Sequence, residues 1–125
     1  MKIEELEDVP QWLLDANTVD ADVEIVDGLV VWKDGIWRGG IWEMGTWNSG
    51  VWLSGNWKDG TWEDGIWKGG IWEGGTWKNG VWKDGIWNDG DWKNGMWHNG
   101  LWYRGAWEKG YIARFFPSDR PPSND

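Results

Sequence analysis

Tryptophan stands at every fifth position from Trp32 to Trp107 without a gap, and glycine keeps the same interval from Gly35 to Gly110. A five-residue period matches neither the 3.6-residue period of an α-helix nor the two-residue period of a flat β-strand. A short period kept over so many units is typical of repeat architectures, in which each unit is one structural element. The chain is therefore expected to fold as a stack of equivalent units.

The repeat unit is written most simply as G-x-W-x-x, with an aliphatic or β-branched residue before most tryptophans and a polar residue after them. Pairs such as Asp59-Gly60 and Asn79-Gly80 are typical of tight turns, because glycine adopts positive φ angles without strain. In extended backbone, residues two apart point to the same side. The unit therefore predicts three extended residues and a two-residue bend, with Gly and Trp inward and the residue after Trp in solvent. Trp37 through Trp102 are expected to be more than nine-tenths buried.

In spacing and inward pattern, the segment from Trp32 to Gly110 resembles the pentapeptide-repeat family, over about two-thirds of the chain. That resemblance implies a right-handed, four-sided β-helix with one large and one small residue inward on each face. Trp stands where the family usually has Leu or Phe, and Gly where it usually has Ala, with Val30 in the first small position. The larger ring is then expected to be offset by the missing methyl group. The repeats are also similar to uncharacterised pentapeptide arrays of tailed phages and bacteria.

The number of faces in one coil follows from the size of the indole rings. A five-residue face is about 16 Å long, so a triangle leaves almost no room for three indoles whereas a square accommodates four. An all-β, square, right-handed solenoid of about four coils is therefore favoured. Thr46, Thr61 and Thr76 are fifteen residues apart, as in a three-sided coil, but a near-duplication of residues 35–52 as 65–82 explains two of the three. A triangular coil and an antiparallel meander with Asp-Gly and Asn-Gly hairpins remain alternatives.

The composition divides the chain into three regions. Residues 1–27 are expected to form an acidic N-terminal cap, residues 28–110 the solenoid, and residues 111–125 an aromatic C-terminal cap with a flexible Pro/Ser tail. Caps are required because an open solenoid exposes strand edges and apolar side chains. Pro10 is expected at the first turn of a short helix, and aromatic and aliphatic residues are expected to pack at the two ends. These residues are Trp12, Leu13 and Leu14 at the first end, and Tyr111, Ile112, Phe115 and Phe116 at the second.

The net charge of −9 is unevenly distributed. Residues 1–27 hold nine acidic residues and one lysine, whereas residues 28–110 hold ten acidic and nine basic residues. The array is thus nearly neutral and the first segment carries the acidity. This acidic segment is either a solvated cap or a contact for a basic partner.

Signals for catalysis are close to absent. His98 is the only histidine and follows Trp97, at the outward position that Lys93 and Tyr103 occupy in the neighbouring repeats. The chain has no cysteine, and no nucleophile–base pair, phosphate-binding loop or zinc motif is present. Asp59 and Asp64 are expected to shape turns. The prediction is a protein that is not an enzyme, with no catalytic, cofactor-binding or metal-binding residues and no cofactor.

Three classes of function are compatible with these features. The favoured class is a non-catalytic structural or protein-interaction scaffold, phage-encoded or virion-associated, with a protein partner or self-association. A DNA-mimicking inhibitor of an enzyme such as gyrase requires negative charge along the array, and a carbohydrate binder requires exposed tryptophans. No nucleic-acid or membrane partner is expected, because the array is neutral and no run of about 18 apolar residues occurs. The acidic start lacks a secretory signal, which predicts a cytoplasmic or virion location.

Overall fold

The computed structural model describes residues 1–113, which form a mostly parallel β-solenoid. A short 3₁₀ turn (Ile3–Glu5) and one helix, α1 (Gln11–Leu14), precede two long strands, β1 (Asn17–Val26) and β2 (Leu29–Gly39). All later strands have two residues, the second being Trp in every strand but the last. They are β3 (Ile41–Trp42), β4 (Thr46–Trp47), β5 (Val51–Trp52), β6 (Asn56–Trp57), β7 (Thr61–Trp62), β8 (Ile66–Trp67), β9 (Ile71–Trp72), β10 (Thr76–Trp77), β11 (Val81–Trp82), β12 (Ile86–Trp87), β13 (Asp91–Trp92), β14 (Met96–Trp97), β15 (Leu101–Trp102), β16 (Ala106–Trp107) and β17 (Tyr111–Ile112).

Each strand pairs in parallel with the strand fifteen residues away. Thr46 pairs with Thr61 and Thr61 with Thr76, and each tryptophan lies opposite the tryptophan of the next coil. The strands therefore form three faces, which we name by the first tryptophan of each. Face 1 begins at Trp32 and contains β4, β7, β10, β13 and β16; face 2 begins at Trp37 and contains β5, β8, β11, β14 and β17; face 3 begins at Trp42 and contains β3, β6, β9, β12 and β15. Strand β2 spans the first corner and belongs to faces 1 and 2.

The favoured square coil is therefore wrong, and the triangular coil is correct. Four five-residue faces would pair residues twenty apart, whereas the observed register is fifteen throughout the array. Five complete coils and two faces of a sixth are present. The parallel register also excludes the meander, since within residues 1–113 β1 and β2 are the one pair of strands that run antiparallel. The expectation that a triangle leaves no room for three indoles treated each face as five extended residues. In the structure each strand has only two residues, and the three remaining residues of each unit form a broad corner.

Three indoles fit inside the triangle because neighbouring rings meet edge to face. Within a coil, consecutive rings such as Trp62 and Trp67 have centroids 5.8 Å apart and planes inclined by 73°. Between coils, rings of the same face such as Trp62 and Trp77 stack 4.8 Å apart with planes only 5° from parallel. Both arrangements are favourable aromatic geometries, worth about 0.5–1.5 kcal/mol per pair beyond area burial. The interior consequently consists of three columns of stacked indoles.

The expected burial of the tryptophans is confirmed along most of the array. The rings from Trp32 to Trp92 are 0% exposed, and Trp97 is 3% exposed. Trp102 and Trp107 are only partly buried, because among the described residues no complete coil follows them. The core is thus made almost entirely of one residue type.

Glycine is required at the corners for the expected positive φ angle and also for a close backbone contact that the sequence did not predict. The glycines at every fifth position from Gly35 to Gly110 have φ angles between +106° and +146°, a region that side chains with a Cβ rarely adopt. A Cβ placed on Gly65 would lie 2.5 Å from the carbonyl oxygen of Gly50, in the coil below, and 3.3 Å from Nε1 of Trp47. The first obstacle is therefore the backbone of the neighbouring coil, not the indole ring. Gly stacks on Gly because the corners approach too closely for any larger residue.

The corners also carry hydrogen bonds that join successive coils. The N–H of Ile66 donates to the carbonyl of Gly50 at 2.9 Å, and the N–H of Glu63 donates to the carbonyl of Trp47 at 2.7 Å. Asp59 and Asp64 shape turns as expected, because each carboxylate accepts the N–H of the following glycine at 2.8 Å. The same type of hydrogen bond is made by Asp34, Asp84, Asp89 and Asn99.

The N-terminal end of the solenoid is covered by residues that precede the array. Strand β1 runs antiparallel to β2 and turns back at Asp27 and Gly28, whose φ angles of 52° and 79° are those of a type I′ hairpin. Helix α1 starts after Pro10, and its Leu13 is 1% exposed. Trp12 meets the ring of Trp42 edge to face at 5.1 Å. These contacts protect the first layer of indoles from water.

At the other end, Tyr111 and Ile112 form β17, which pairs with β14. Ile112 continues the column of Trp97 and is partly buried. Phe115 and Phe116, expected as further parts of the C-terminal cap, lie outside the described residues.

Two adjacent glycines give a matched test of the corner geometry. In Gly70→Ala, the new Cβ would meet the backbone of Gly55, 2.9 Å from its nitrogen, at a residue with a φ angle of +110°. We expect a loss of about 2–4 kcal/mol in the free energy of unfolding, from overpacking and backbone strain together. In Gly69→Ala the nearest atom lies 3.4 Å away, so the change should stay within about 1 kcal/mol. Chemical denaturation of both variants measures the two losses in unfolding free energy. Equal losses would contradict the assignment of Gly70, and not Gly69, to the closely packed corner.

The position along the indole columns should determine the cost of removing a ring. Trp72→Ala leaves a cavity between two stacked neighbours, Trp57 and Trp87, and should cost about 3–5 kcal/mol of unfolding free energy. Trp107→Ala removes a ring that is only partly buried and that stacks on Trp92, so its cost should be less than half as large. Thermal and denaturant melts monitored by circular dichroism measure both; similar losses would be inconsistent with a core built of stacked columns.

Candidate functional site

His98, the only histidine, lies on face 2 and projects from the solenoid next to the preceding coil. The parallel register places Lys83 beside it, whereas Lys93 and Tyr103 belong to the neighbouring faces. Partial burial lowers the pKa of the imidazole below its ordinary 6.5, and the nearby Lys83 ammonium lowers this pKa further. No carboxylate or nucleophile is hydrogen-bonded to His98 among the described residues. His98 therefore belongs to a basic part of the surface. No hydrogen bond within residues 1–113 holds its ring as one would hold a catalytic base.

The carboxylates of the array are dispersed. Within residues 1–113, no group of three or more His, Asp or Glu side chains is arranged to hold a metal ion. The aspartates at the corners accept hydrogen bonds from the next backbone N–H, as Asp84 does from Gly85 at 2.8 Å. These side chains thereby act within their own turns.

The indole nitrogens are the polar groups of the interior. Four of them, including Nε1 of Trp52, donate to a backbone carbonyl seventeen residues ahead, in this case that of Gly69 at 3.1 Å. The others that do so are Trp57, Trp82 and Trp87. Nine further indole nitrogens are buried without a hydrogen-bond partner in the described part of the chain; they are those of Trp32, Trp37, Trp42, Trp47, Trp62, Trp67, Trp72, Trp77 and Trp92. An unpaired buried donor costs about 1–3 kcal/mol, so the stacked core must outweigh this cost.

Outward side chains form columns as regular as those of the indoles, because each position recurs fifteen residues later. On face 1, threonines at 46, 61 and 76 stand before the tryptophans, and the charges after the tryptophans pair between coils. Nζ of Lys78 lies 3.6 Å from the carboxylate of Glu63, and Nζ of Lys93 lies 2.5 Å from that of Glu108. The lysines that follow the tryptophans of face 1 are therefore all ion-paired, since Lys33 pairs with Glu24 of β1.

Face 2 differs from face 1 in both of its outward columns. The column before the tryptophans is apolar throughout and continues onto β1, where Val19 pairs with Ile36. We name it the apolar column; its members are Val19, Ile36, Val51, Ile66, Val81, Met96 and Tyr111. The column after the tryptophans is basic and contains Arg38, Leu53, Lys68, Lys83 and His98. Among the ion pairs of residues 1–113, none involves Arg38, Lys68 or Lys83.

Face 3 lacks this continuity. Asn56 interrupts its column of aliphatic residues, between Ile41 and Ile71. The positions after its tryptophans mix both charges with polar residues, as Glu43, Lys58, Glu73, Asn88 and Tyr103. The register thus brings an uninterrupted apolar column and several unpaired cations together on face 2, a distinction that the five-residue period conceals.

Comparison of the chain with protein-family models, with curated proteins and with solved structures gave no match. The assignment of the fold therefore depends on the strand register and on the resemblance of the repeat unit. Neither helix among the described residues has the length and apolar character needed to cross a membrane.

The lowered pKa of His98 can be tested by titration. Because the folded-state pKa lies below the unfolded value, folding favours the neutral imidazole, and stability should decline as the pH falls from about 6.5 through the folded-state pKa. We expect an NMR titration midpoint below 6.5, which Lys83→Gln should move upward by removing the neighbouring charge. Lys93→Gln, on face 1, should leave the midpoint unchanged. A midpoint unaffected by Lys83→Gln would contradict the placement of the two side chains in adjacent coils.

Proposed function

We propose that the protein is a non-catalytic scaffold of the pentapeptide-repeat type, which presents side chains on flat faces for binding to a protein partner. The main support for this proposal is the burial of the tryptophans, because those from Trp32 to Trp92 are 0% exposed and pack in the core. In the described residues the stacked indole rings fill the core, and the outward side chains recur at a constant spacing. A rigid lattice of this kind favours recognition of a complementary surface.

The other two functions receive less support. A DNA mimic must present negative charge along its length, whereas the acids of face 1 pair with lysines and face 2 is basic. A carbohydrate binder that stacks sugars on indoles needs outward ring faces, which the buried tryptophans do not offer. A phage or virion context would suit a scaffold of this kind and remains part of the proposal, as does the cytoplasmic or virion location.

Site-specific photo-crosslinking tests the proposal. A photoreactive benzoylphenylalanine placed at Asn48, Lys68 or Lys58 samples faces 1, 2 and 3 at the same outward position of the repeat. We expect a discrete covalent adduct with another protein, from at least one of the three positions, in cells of the organism that produces the chain. Absence of any adduct from all three faces would contradict the scaffold.

A supercoiling assay separates the scaffold from the DNA mimic. Added to gyrase in excess, the protein should leave the supercoiling rate within about twofold of the control. Inhibition that is lost when acidic residues 1–27 are neutralised would favour mimicry instead.

A further inference from the structure

Face 2 combines an uninterrupted apolar column with three cations that make no ion pair within residues 1–113. Val51, Ile66, Val81 and Met96 are partly exposed and Tyr111 is 61% exposed, so their outer surfaces form one strip along the solenoid. The exposed cations of Arg38, Lys68 and Lys83 follow it at the next outward position of each repeat. A groove of about 580 Å³ lies beside the strip at its C-terminal end. It is lined by Val81, Met96 and Tyr111 and by the corner residues Asp64, Asn79 and Asn94.

Three aspartates at the corners of face 2 hydrogen-bond within their own turns. Asp34 and Asp64 lie at the corner with face 1, and Asp84 lies at the corner with face 3. Each of these carboxylates accepts the N–H of the following glycine, at 2.8–2.9 Å. No ion pair in residues 1–113 joins them to the cations of face 2. The charge of these cations is therefore available to an anionic partner.

The dimensions of face 2 indicate the size of this partner. Seven positions at a strand spacing of about 4.8 Å make the strip about 29 Å long, and a face is at most about 16 Å wide. The available area is on the order of 400 Å², about half of the roughly 800 Å² per partner that a stable interface between two globular proteins buries. A second copy docked through face 2 would also place one basic surface against another. A single peptide segment fits this area better than a globular domain.

The spacing along the strip favours a helical segment. One turn of an α-helix rises about 5.4 Å, close to the strip's repeat of about 4.8 Å, whereas alternate residues of a β-strand are about 6.6 Å apart. A helix of about 18 residues would extend along the whole strip. Phosphate backbones match the cations alone and leave the apolar column unused, so the face fits a polypeptide better than a nucleic acid.

We propose that face 2 binds an acidic amphipathic α-helix of a partner protein. This inference depends on the proposed scaffold function and specifies its site. Apolar residues of the helix pack on Val51, Ile66, Val81 and Met96, in the manner of a helix lying in an apolar groove. Acidic residues along one flank of the helix pair with Arg38, Lys68 and Lys83. His98 adds a fourth positive charge to this row at low pH.

A synthetic helix tests the proposal directly. The probe is a fluorescein-labelled, lactam-stapled 18-residue peptide with leucines along one face and glutamates beside them; the control peptide has lysine in place of glutamate. We expect saturable binding of the glutamate peptide by fluorescence anisotropy, weaker at 200 mM than at 50 mM salt, and at least tenfold weaker binding of the lysine peptide. Failure of the unmodified protein to bind the glutamate peptide would overturn the proposal.

Matched variants locate the binding on face 2. Lys68→Glu with Lys83→Glu should weaken binding at least tenfold, whereas Lys58→Glu, at the same repeat position on face 3, should change it less than threefold. Ile66→Ser should weaken binding at least fivefold, and Ile71→Ser, its counterpart on face 3, less than twofold. Circular dichroism melts confirm that these outward changes leave the solenoid folded. Equal effects on the two faces, or tighter binding to a single-stranded oligonucleotide than to the peptide, would also overturn the inference.

The photo-crosslinking experiment separates the two proposals. Adducts from Asn48 or Lys58 but not from Lys68 would leave the scaffold standing and refute face 2 as its site. A lack of adducts from every face would refute the scaffold itself. An adduct from benzoylphenylalanine at position 68 that is lost when Lys83 is also changed to Glu would support both the scaffold and face 2 as its site.

Discussion

The coil-to-coil stacking of indoles is the interaction on which the rest of this structure depends. Parallel strands joined by hydrogen bonds lie about 4.8 Å apart, and the stacked rings of Trp62 and Trp77 have the same centroid separation. The backbone and the side chains therefore share one repeat distance along the axis. Because both interactions are satisfied by the same rise, the pattern continues from coil to coil without accumulated strain, and the core needs only one large residue type.

The close approach at the corners follows from this shared rise. A corner that stacks directly on the corner below leaves no space for a Cβ, as the contact between Gly65 and Gly50 shows. Glycine also supplies the positive φ angle that turns the chain toward the next face. The preceding Asp or Asn holds this turn by accepting the glycine N–H. Backbone geometry at the corners thus requires glycine, whereas stacking in the interior requires tryptophan.

The consequence for function is a separation of roles within each unit. The inward residues are used for stability, so differences between faces arise only from the two outward positions beside each tryptophan. On face 1 these positions hold threonines and paired charges, whereas on face 2 they hold an apolar column and unpaired cations. The net negative charge is concentrated in residues 1–27, which cover the N-terminal end of the array. Recognition by such a protein is therefore expected to depend on one face rather than on a pocket.

The period of five by itself determined that the chain is built of equivalent repeats and favoured an all-β solenoid with tryptophan inside. The antiparallel meander stayed open until the parallel register excluded it. The sequence by itself also determined that Asp59 and Asp64 serve turns, since Asp-Gly pairs form turns by local hydrogen bonds. Only the tertiary structure decided the number of faces. A five-residue repeat is compatible with three or four faces, and the choice depends on the edge-to-face packing of rings such as Trp62 and Trp67, which no local pattern contains. The location of face 2 followed from that choice, because Lys68 and Lys83 become neighbours only when one coil has fifteen residues.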